Sequence, residues 1–324
     1  MMTNEEIYKN LNFNSKYEAR VYMPNEIFDN LIILKGQTSK HIAFAYTYYY
    51  FITWLYRYAK YEKFVINKQQ LLSFLGYNGN TGRLDYIIKK NGVLDNLGLT
   101  ITTTNYPVYA SYETDVSELN FTLLEDNDIE SQKHYKKRHS SKYTIKYPVL
   151  AFERPQLLKS DKEESNLEAE YEIVEGTFYD ISNTHLVDFR VFLFCMSKKD
   201  LGCTAFYIWS YLQMKKQIFN KYDAVLQRIA DETYLSEKTV ERYHNAMRGY
   251  NMIEVIHNQK YFSLALENRK ANSHITNTFE YFKKEKVEYK KMEVVSVEKH
   301  LKLEENKKHN KKRQKELDDF IKTS

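Results

Sequence analysis

The chain has 324 residues, 43% of them hydrophobic, enough to build a core in each of about two domains of ordinary size. Its only cysteines, Cys195 and Cys203, stand apart from any Cys or His cluster, which excludes a disulfide framework or a zinc site and leaves buried free thiols. The formal net charge of +5 is local, because residues 281–324 hold 14 Lys/Arg against 9 Asp/Glu and the remainder balances to zero.

The N-terminus, MMTNEEIYKN, lacks the basic-then-apolar order of a signal peptide, so a cytosolic location is expected. The most apolar stretch runs only from His41 to Tyr56 before Arg57, short of the roughly 20 residues a membrane span needs. After an extension over 1–36, the spacing of Phe44, Tyr48, Phe51, Ile52, Leu55 and Tyr58 predicts a long aromatic helix from about His41 to Lys60. A short strand at Phe64–Ile66 precedes Asn67 and Gln70, which approximate a capping box opening a second helix, KQQLLSFLGY. TGRLDYIIKKNGVLDNLGL reads as a third helix with Leu84, Ile87, Ile88 and Leu94 inward and Gly98 closing it. Strands ITTT and VYAS, joined by Asn105-Tyr106-Pro107, complete a hairpin. ELNFTLL and YTIKYPVLAF extend this first unit, residues 37–156.

Between Lys133 and Lys146 lie six Lys/Arg and no carboxylate, including Lys136, Lys137 and Arg138, a patch that either contacts DNA with release of counterions or serves as a solubilising loop. Asp161–Asp180 then carries eight acidic residues against Lys162 alone, the composition of a solvated linker, placed at 157–184. The second unit, 185–270, repeats the order of the first. Thr204–Tyr222 is a helix with an apolar surface that includes Trp209 and Tyr211. Asp223 is placed to cap the next helix, which carries Ile229 and Ala230 on one face, and Tyr234-Leu235-Ser236 turns the chain. A third helix follows from Ser236 to Tyr250, with Val240 and Met247 inward, and Asn251 ends it in the left-handed conformation. MIEVI and KYFSLAL, separated by Asn258-Gln259, read as a second hairpin. The tail, 271–324, mixes charges with sparse apolar residues and reads as flexible or as a frayed helix.

Ser236, Thr239, Val240, Arg242, Met247, Asn251, Met252 and Ile253 match, at the right spacing, a pattern that resembles the winged-helix regulators of bacteria. His244 departs from it, standing where Leu is usual, and reads as a core residue. The fold class this implies is α+β, mainly helical, with two tandem winged helix-turn-helix units and β-hairpin wings. Over residues 37–266 the domain order resembles plasmid and phage replication initiators of the theta type, and the N-terminal winged helix of DnaD-like primosomal proteins is similar too. The resemblance implies binding of origin repeats in double-stranded DNA. It also implies recruitment of host replication proteins and a homodimer through the first unit, for which the aromatic helix from His41 is a candidate surface, with simple burial of that helix the favoured alternative. No cofactor is expected.

A major groove admits one α-helix whose polar side chains read base edges. In the second unit Arg242 and Asn245 are the base-edge candidates, Ser236, Lys238 and Thr239 suit phosphates near the helix N-terminus, and Lys260 is the single cation of the wing. The first unit offers Asn80, Thr81, Arg83, Tyr86, Lys89 and Lys90. The alternative for both faces is ordinary solvation, and Glu237 and Glu241 would repel phosphate. No enzyme signature stands up: Gly76 and Gly82 are one residue too far apart for a phosphate-binding loop, and Arg83 replaces its Lys. Replication initiator, transcriptional regulator and non-enzymatic primosome or partition assembly factor remain as competing readings.

Overall fold

The computed structural model describes residues 4–34, 39–63, 66–77, 83–111, 119–137, 143–157 and 171–323. The fold is α+β, about half helical, with small and mainly antiparallel sheets. Helix α1 (Asn4–Leu11) and strand β1 (Arg20–Pro24) lead through α2 (Ile27–Asn30) to the long α3 (Ser39–Arg57). Apolar and aromatic residues ring α3 on every side, and Ile42 to Tyr56 are buried throughout, as a helix without a polar face must be. Its rings are therefore core, as the favoured alternative of simple burial expects, and they are not free to form a dimer surface.

One-turn α4 (Lys60–Lys63) precedes α5 (Lys68–Phe74), which opens with the expected capping box: Asn67 accepts from the Gln70 backbone N–H and Gln70 accepts from that of Asn67. The strand expected at Phe64–Ile66 and the turn at Tyr77–Asn80 fall largely outside the described residues. The single third helix expected after them is instead two turns, α6 (Asp85–Ile88) and α7 (Val93–Asn96). Lys89 is extended and Asn91 takes φ 58°, so the helical path ends between them. The break is built around Asp95, which accepts from the Asn91 N–H and from Lys146 Nζ, while the same Nζ donates to the Lys89 carbonyl. Leu84, Ile87, Ile88 and Leu94 are buried as expected, and Gly98 closes α7 at φ 68°.

The strands that follow are β2 (Thr100–Thr103), β3 (Pro107–Ser111), β4 (Asn120–Leu123), β5 (Ile145–Pro148), β6 (Glu153–Leu157), β7 (Tyr171–Glu175) and β8 (Thr184–Asp188), with α8 (Ile129–Lys137) between β4 and β5. The expected β2–β3 hairpin does not form: β2 pairs with β5 and β3 with β4. Pairing with β5 sets Lys146, 8% exposed, against Asp95 at 2.6 Å, so this lysine leaves the basic segment and becomes a buried ion pair. Residues of the expected acidic linker form β7, which pairs with β6.

Helix α9 (Phe189–Ser197) leads to α10 (Gly202–Phe219), β9 (Tyr222–Ala224), α11 (Leu226–Thr233) and α12 (Glu237–Gly249). The chain ends with β10 (Ile253–Ile256), β11 (Tyr261–Phe262), β12 (Asn272–Thr276), β13 (Glu293–Val294) and α13 (Val297–Thr323). Asp223 lies in β9 and does not cap α11, whose N-cap is Val225. β10 pairs with β12 and not with the KYFSLAL segment, giving a sheet of order β10-β12-β9; β11 pairs in parallel with β13. The central strand β12 thus lies in what was read as tail.

Helices α3 and α10 pack together at the centre, and β1 pairs with β8, so the extension, the first half and the second half meet. Trp54 stacks on Phe189 with ring centroids 3.8 Å apart, and Trp54 Nε1 donates to the Glu18 carbonyl. Lys60 fixes the same segment by pairing with Glu18 at 2.7 Å. One apolar core runs from Leu11 to Ile253.

Candidate nucleic-acid interface

Tyr234 takes the left-handed conformation at φ 56°, and the Leu235 N–H reaches back to the Ala230 carbonyl at 3.0 Å, closing α11. The turn is therefore three residues long. Ser236 caps α12: its hydroxyl accepts from the Thr239 N–H at 3.3 Å and shares a hydrogen bond with Thr239 Oγ1 at 2.7 Å. At the other end Asn251, at φ 53°, stops the helix as expected. Val240, His244 and Met247 face inward at helical spacing, so Ser236, Lys238, Arg242 and Asn245 are exposed together and Thr239 is half-buried at their edge.

His244 is core, and its partner explains why Leu is absent. His244 Nε2 stands 3.1 Å from His274 Nδ1, and His274 Nε2 stands 2.9 Å from the Ala224 carbonyl. A carbonyl only accepts, so His274 carries its proton on Nε2, and His244 Nε2 donates to the free Nδ1. Burial holds both imidazoles below their ordinary pKa, with Arg248 adding to the effect at each, so both are neutral. The pair joins α12 to β12 and β9 across the bottom of the helix.

On its exposed side, α12 meets a strap formed by residues 279–296. The Val287 N–H donates to the Gly249 carbonyl and the Lys283 N–H to the Tyr250 carbonyl. Arg248 lies over the Tyr289 ring at 4.2 Å and donates to the Lys290 carbonyl, while Tyr289 Oη donates to Asn245 Oδ1 at 3.3 Å. The face expected to be open is thus bordered by Tyr289 and Lys290 beside Asn245. Neither was among the sequence candidates; the signal was Phe282 and Tyr289, large aromatic residues among the lysines of the segment. Arg242 packs over the ring of its neighbour Tyr243 at 4.9 Å. Among the described residues no ion pair engages Lys238, Glu237 or Glu241. Lys260 is exposed in the connection between β10 and β12.

The first-half candidates gather less well. Arg83, Lys89 and Lys90 are exposed around the four-residue α6, and Tyr86 is half-buried with its hydroxyl 2.9 Å from His41 Nδ1. Four residues of helix span about 6 Å, too little to place three or four side chains along a groove. Asn80, Thr81 and Arg138 lie outside the described residues. Lys136 and Lys137 are exposed in the last turn of α8, which packs on the turn Leu124–Asp126. The halves do meet near α12. Burial raises the pKa of Tyr77, at the end of α5, with Cys203 and Tyr243 of α12 near enough to add to the effect.

Cys195 and Cys203 are buried and unpaired, and burial pushes the Cys203 thiol up to about 12. Among the described residues no group of three or more His, Cys, Asp or Glu could hold a metal ion. No helix among them is long and apolar enough to cross a membrane. The chain finds no match among protein-family models, curated proteins or solved structures.

Proposed function

We propose that the protein binds double-stranded DNA sequence-specifically, with α12 as the helix that enters the major groove. The observation that carries this reading is the exposed row Ser236, Lys238, Arg242 and Asn245 on a helix whose opposite face is locked into the core. The order α10, β9, α11, α12, β10, β12, with strands arranged β10-β12-β9, supports a winged helix in which the β10–β12 connection, with Lys260, is the wing. Arg242 and Asn245 then meet base edges, and Lys238 and the capped N-terminus meet phosphate.

Within that reading, the role is initiation at the replication origin of a plasmid or phage, with binding to repeated sites. Its support is the repetition of plan: α3, α5, the α6–α7 pair, β2 and β5 follow the order of α10, α11, α12, β10 and β12. Host replication proteins are the further partners of such an initiator. A homodimer through the first half would use a surface other than α3. A transcriptional regulator is the second reading, favoured by the break between α6 and α7, which leaves α12 as the one unbroken third helix of the two repeats among the described residues.

Duplex fragments captured by the purified protein from a random pool test both. Several tandem repeats support initiation, a single inverted repeat supports regulation, and failure to enrich any sequence refutes specific binding. On the captured site Arg242→Ala should weaken binding by about 1–3 kcal/mol and relax the preference at one position, whereas Lys238→Ala should weaken all sequences alike. Unchanged affinity in Arg242→Ala removes that residue from base readout.

A further inference from the structure

The C-terminal helix α13 runs for 27 residues, and Lys307 to Lys315 are all exposed. Between Glu305 and Glu316 it carries Lys307, Lys308, Lys311, Lys312, Arg313 and Lys315 and no carboxylate. Lysines four apart, such as Lys307, Lys311 and Lys315, repel one another on a helix surface and oppose the helix unless an anion answers them.

The root of this helix is fixed. Val295 is buried and its N–H donates to the Phe262 carbonyl at 2.8 Å, β13 pairs with β11, and His300 Nδ1 is 3.0 Å from Tyr261 Oη. Tyr261 and Phe262 belong to the β10–β12 connection, and the strap that precedes α13 is bonded to α12 through Arg248 and Asn245. At about 100° per residue, Lys307, Lys308, Lys311 and Lys315 fall within about 80° of the direction of His300. Lys312 falls at about 120° and Arg313 on the far side. These lysines therefore continue the side by which α13 docks on the connection, beginning about 10 Å beyond the dock. Lys307 is already answered by Glu304 at 2.6 Å, which also lies near Lys308.

We propose that this lysine stripe of α13 is a second DNA contact, taking the phosphate backbone of the same duplex that α12 reads. The inference rests on the reading of α12 as a DNA-binding helix. The strap fixes the start of the stripe relative to α12, so that the ordering cost of a free tail is avoided, and the contact carries no base readout. Its signature is counterion release: affinity independent of sequence and steeply dependent on salt.

The test is a salt titration of duplex binding by the full chain. Gln at positions 307, 308, 311, 312 and 315 keeps helix propensity and removes the charge. This variant should lower the slope of log affinity against log salt by about 4, at about 0.9 per phosphate, while the ratio of cognate to unrelated affinity stays that of the wild type. A paired variant, Lys299→Gln with Lys302→Gln, removes two cations already matched by Glu293 and Glu298 and should leave the slope unchanged. A wild-type slope in the five-site variant overturns the proposal, as does weaker binding with no change of slope, which would point to a protein partner or to lost structure. If the wild type binds no duplex at all, the reading of α12 fails together with it. Loss of specificity in Arg242→Ala, with the five-site variant unaffected, leaves that reading standing and the stripe refuted.

Discussion

Acidification should unfasten α12 through the imidazole pair beneath it. His244 and His274 share one proton-bearing contact, and a proton added to His274 Nδ1 would set two N–H groups against each other at 3.1 Å. Burial, with Arg248 adding to it, lowers both folded pKa values below 6.5, the ordinary histidine value that the unfolded chain regains. Below pH 6.5 the unfolded state therefore takes up protons that the folded state refuses, and stability falls with pH; above it the contribution is complete. Each histidine costs at most about 1.4 kcal/mol per pH unit in that window, and only while its folded form stays neutral, so the pair lowers stability as the pH falls. His185, between Tyr46 Oη and Asn25 Oδ1, is lowered by burial to about 3. It adds about 2 kcal/mol between about pH 6.5 and 5. That loss, about 2 kcal/mol from His185 with the imidazole pair adding in the same direction, is an appreciable part of the whole stability of a folded domain. Urea unfolding at pH 7 and pH 5 measures it. His244→Leu loses a hydrogen bond to His274, at a cost of about 1–3 kcal/mol at pH 7, but should reduce the pH slope. Equal stabilities at the two pH values, or the same slope in His244→Leu as in the wild type, would refute the reasoning.

Two further substitutions probe the first half. Asp95→Asn strands the Lys146 ammonium, 8% exposed, and should cost about 3–5 kcal/mol by chemical unfolding. Burial alone would raise the Asp95 pKa, but hydrogen bonds from Lys146 and Thr100 hold it below the usual carboxylate value. Below its unfolded value the pair's contribution is therefore lost as the carboxylate protonates, and the penalty of Asp95→Asn should shrink in acid. Gly92→Ala places a Cβ 2.6 Å from the Tyr86 carbonyl oxygen and should cost about 1–3 kcal/mol in thermal unfolding. A neutral result would mean that the α6–α7 break relaxes easily.

The features legible in the sequence are those set by a few neighbouring residues. Asn67 with Gln70, Ser236 before α12, and Asn251 after it each act on backbone groups within one turn, and each is where the pattern put it. Pairing partners were not legible, because they depend on what lies far along the chain. β12 was missed for a second reason. Its sequence, NSHIT, looks like a loop, yet Ser273, His274 and Thr276 are buried because Asn258, His244 and Gln213 satisfy them. Polar residues so satisfied are invisible to any scale that equates burial with apolarity. The break after Ile88 had its own local sign, Asn91-Gly92, but the apolar spacing of Leu84, Ile87, Ile88 and Leu94 outweighed it. Those four are buried in either case, so periodicity alone could not tell one helix from two turns.

That break also bears on how the halves divide the work. A helix that reads a groove needs about three turns with one face free and the other held. α12 has 13 residues and is held by Val240, His244 and Met247, whereas α6 and α7 have four residues each. Removing Gly92 would not restore a long helix, because Lys146, Asp95 and the Lys89 carbonyl already fix the bend. What the first half supplies instead is position. α3 packs on α10, and Tyr77 stands near Tyr243, so the floor on which α12 sits is built from both halves. On the proposal that α12 binds DNA, a change buried in α3 should therefore disturb DNA affinity through α10 without touching any exposed residue of α12. Reduced affinity in such a variant would then track lost stability, with specificity unchanged.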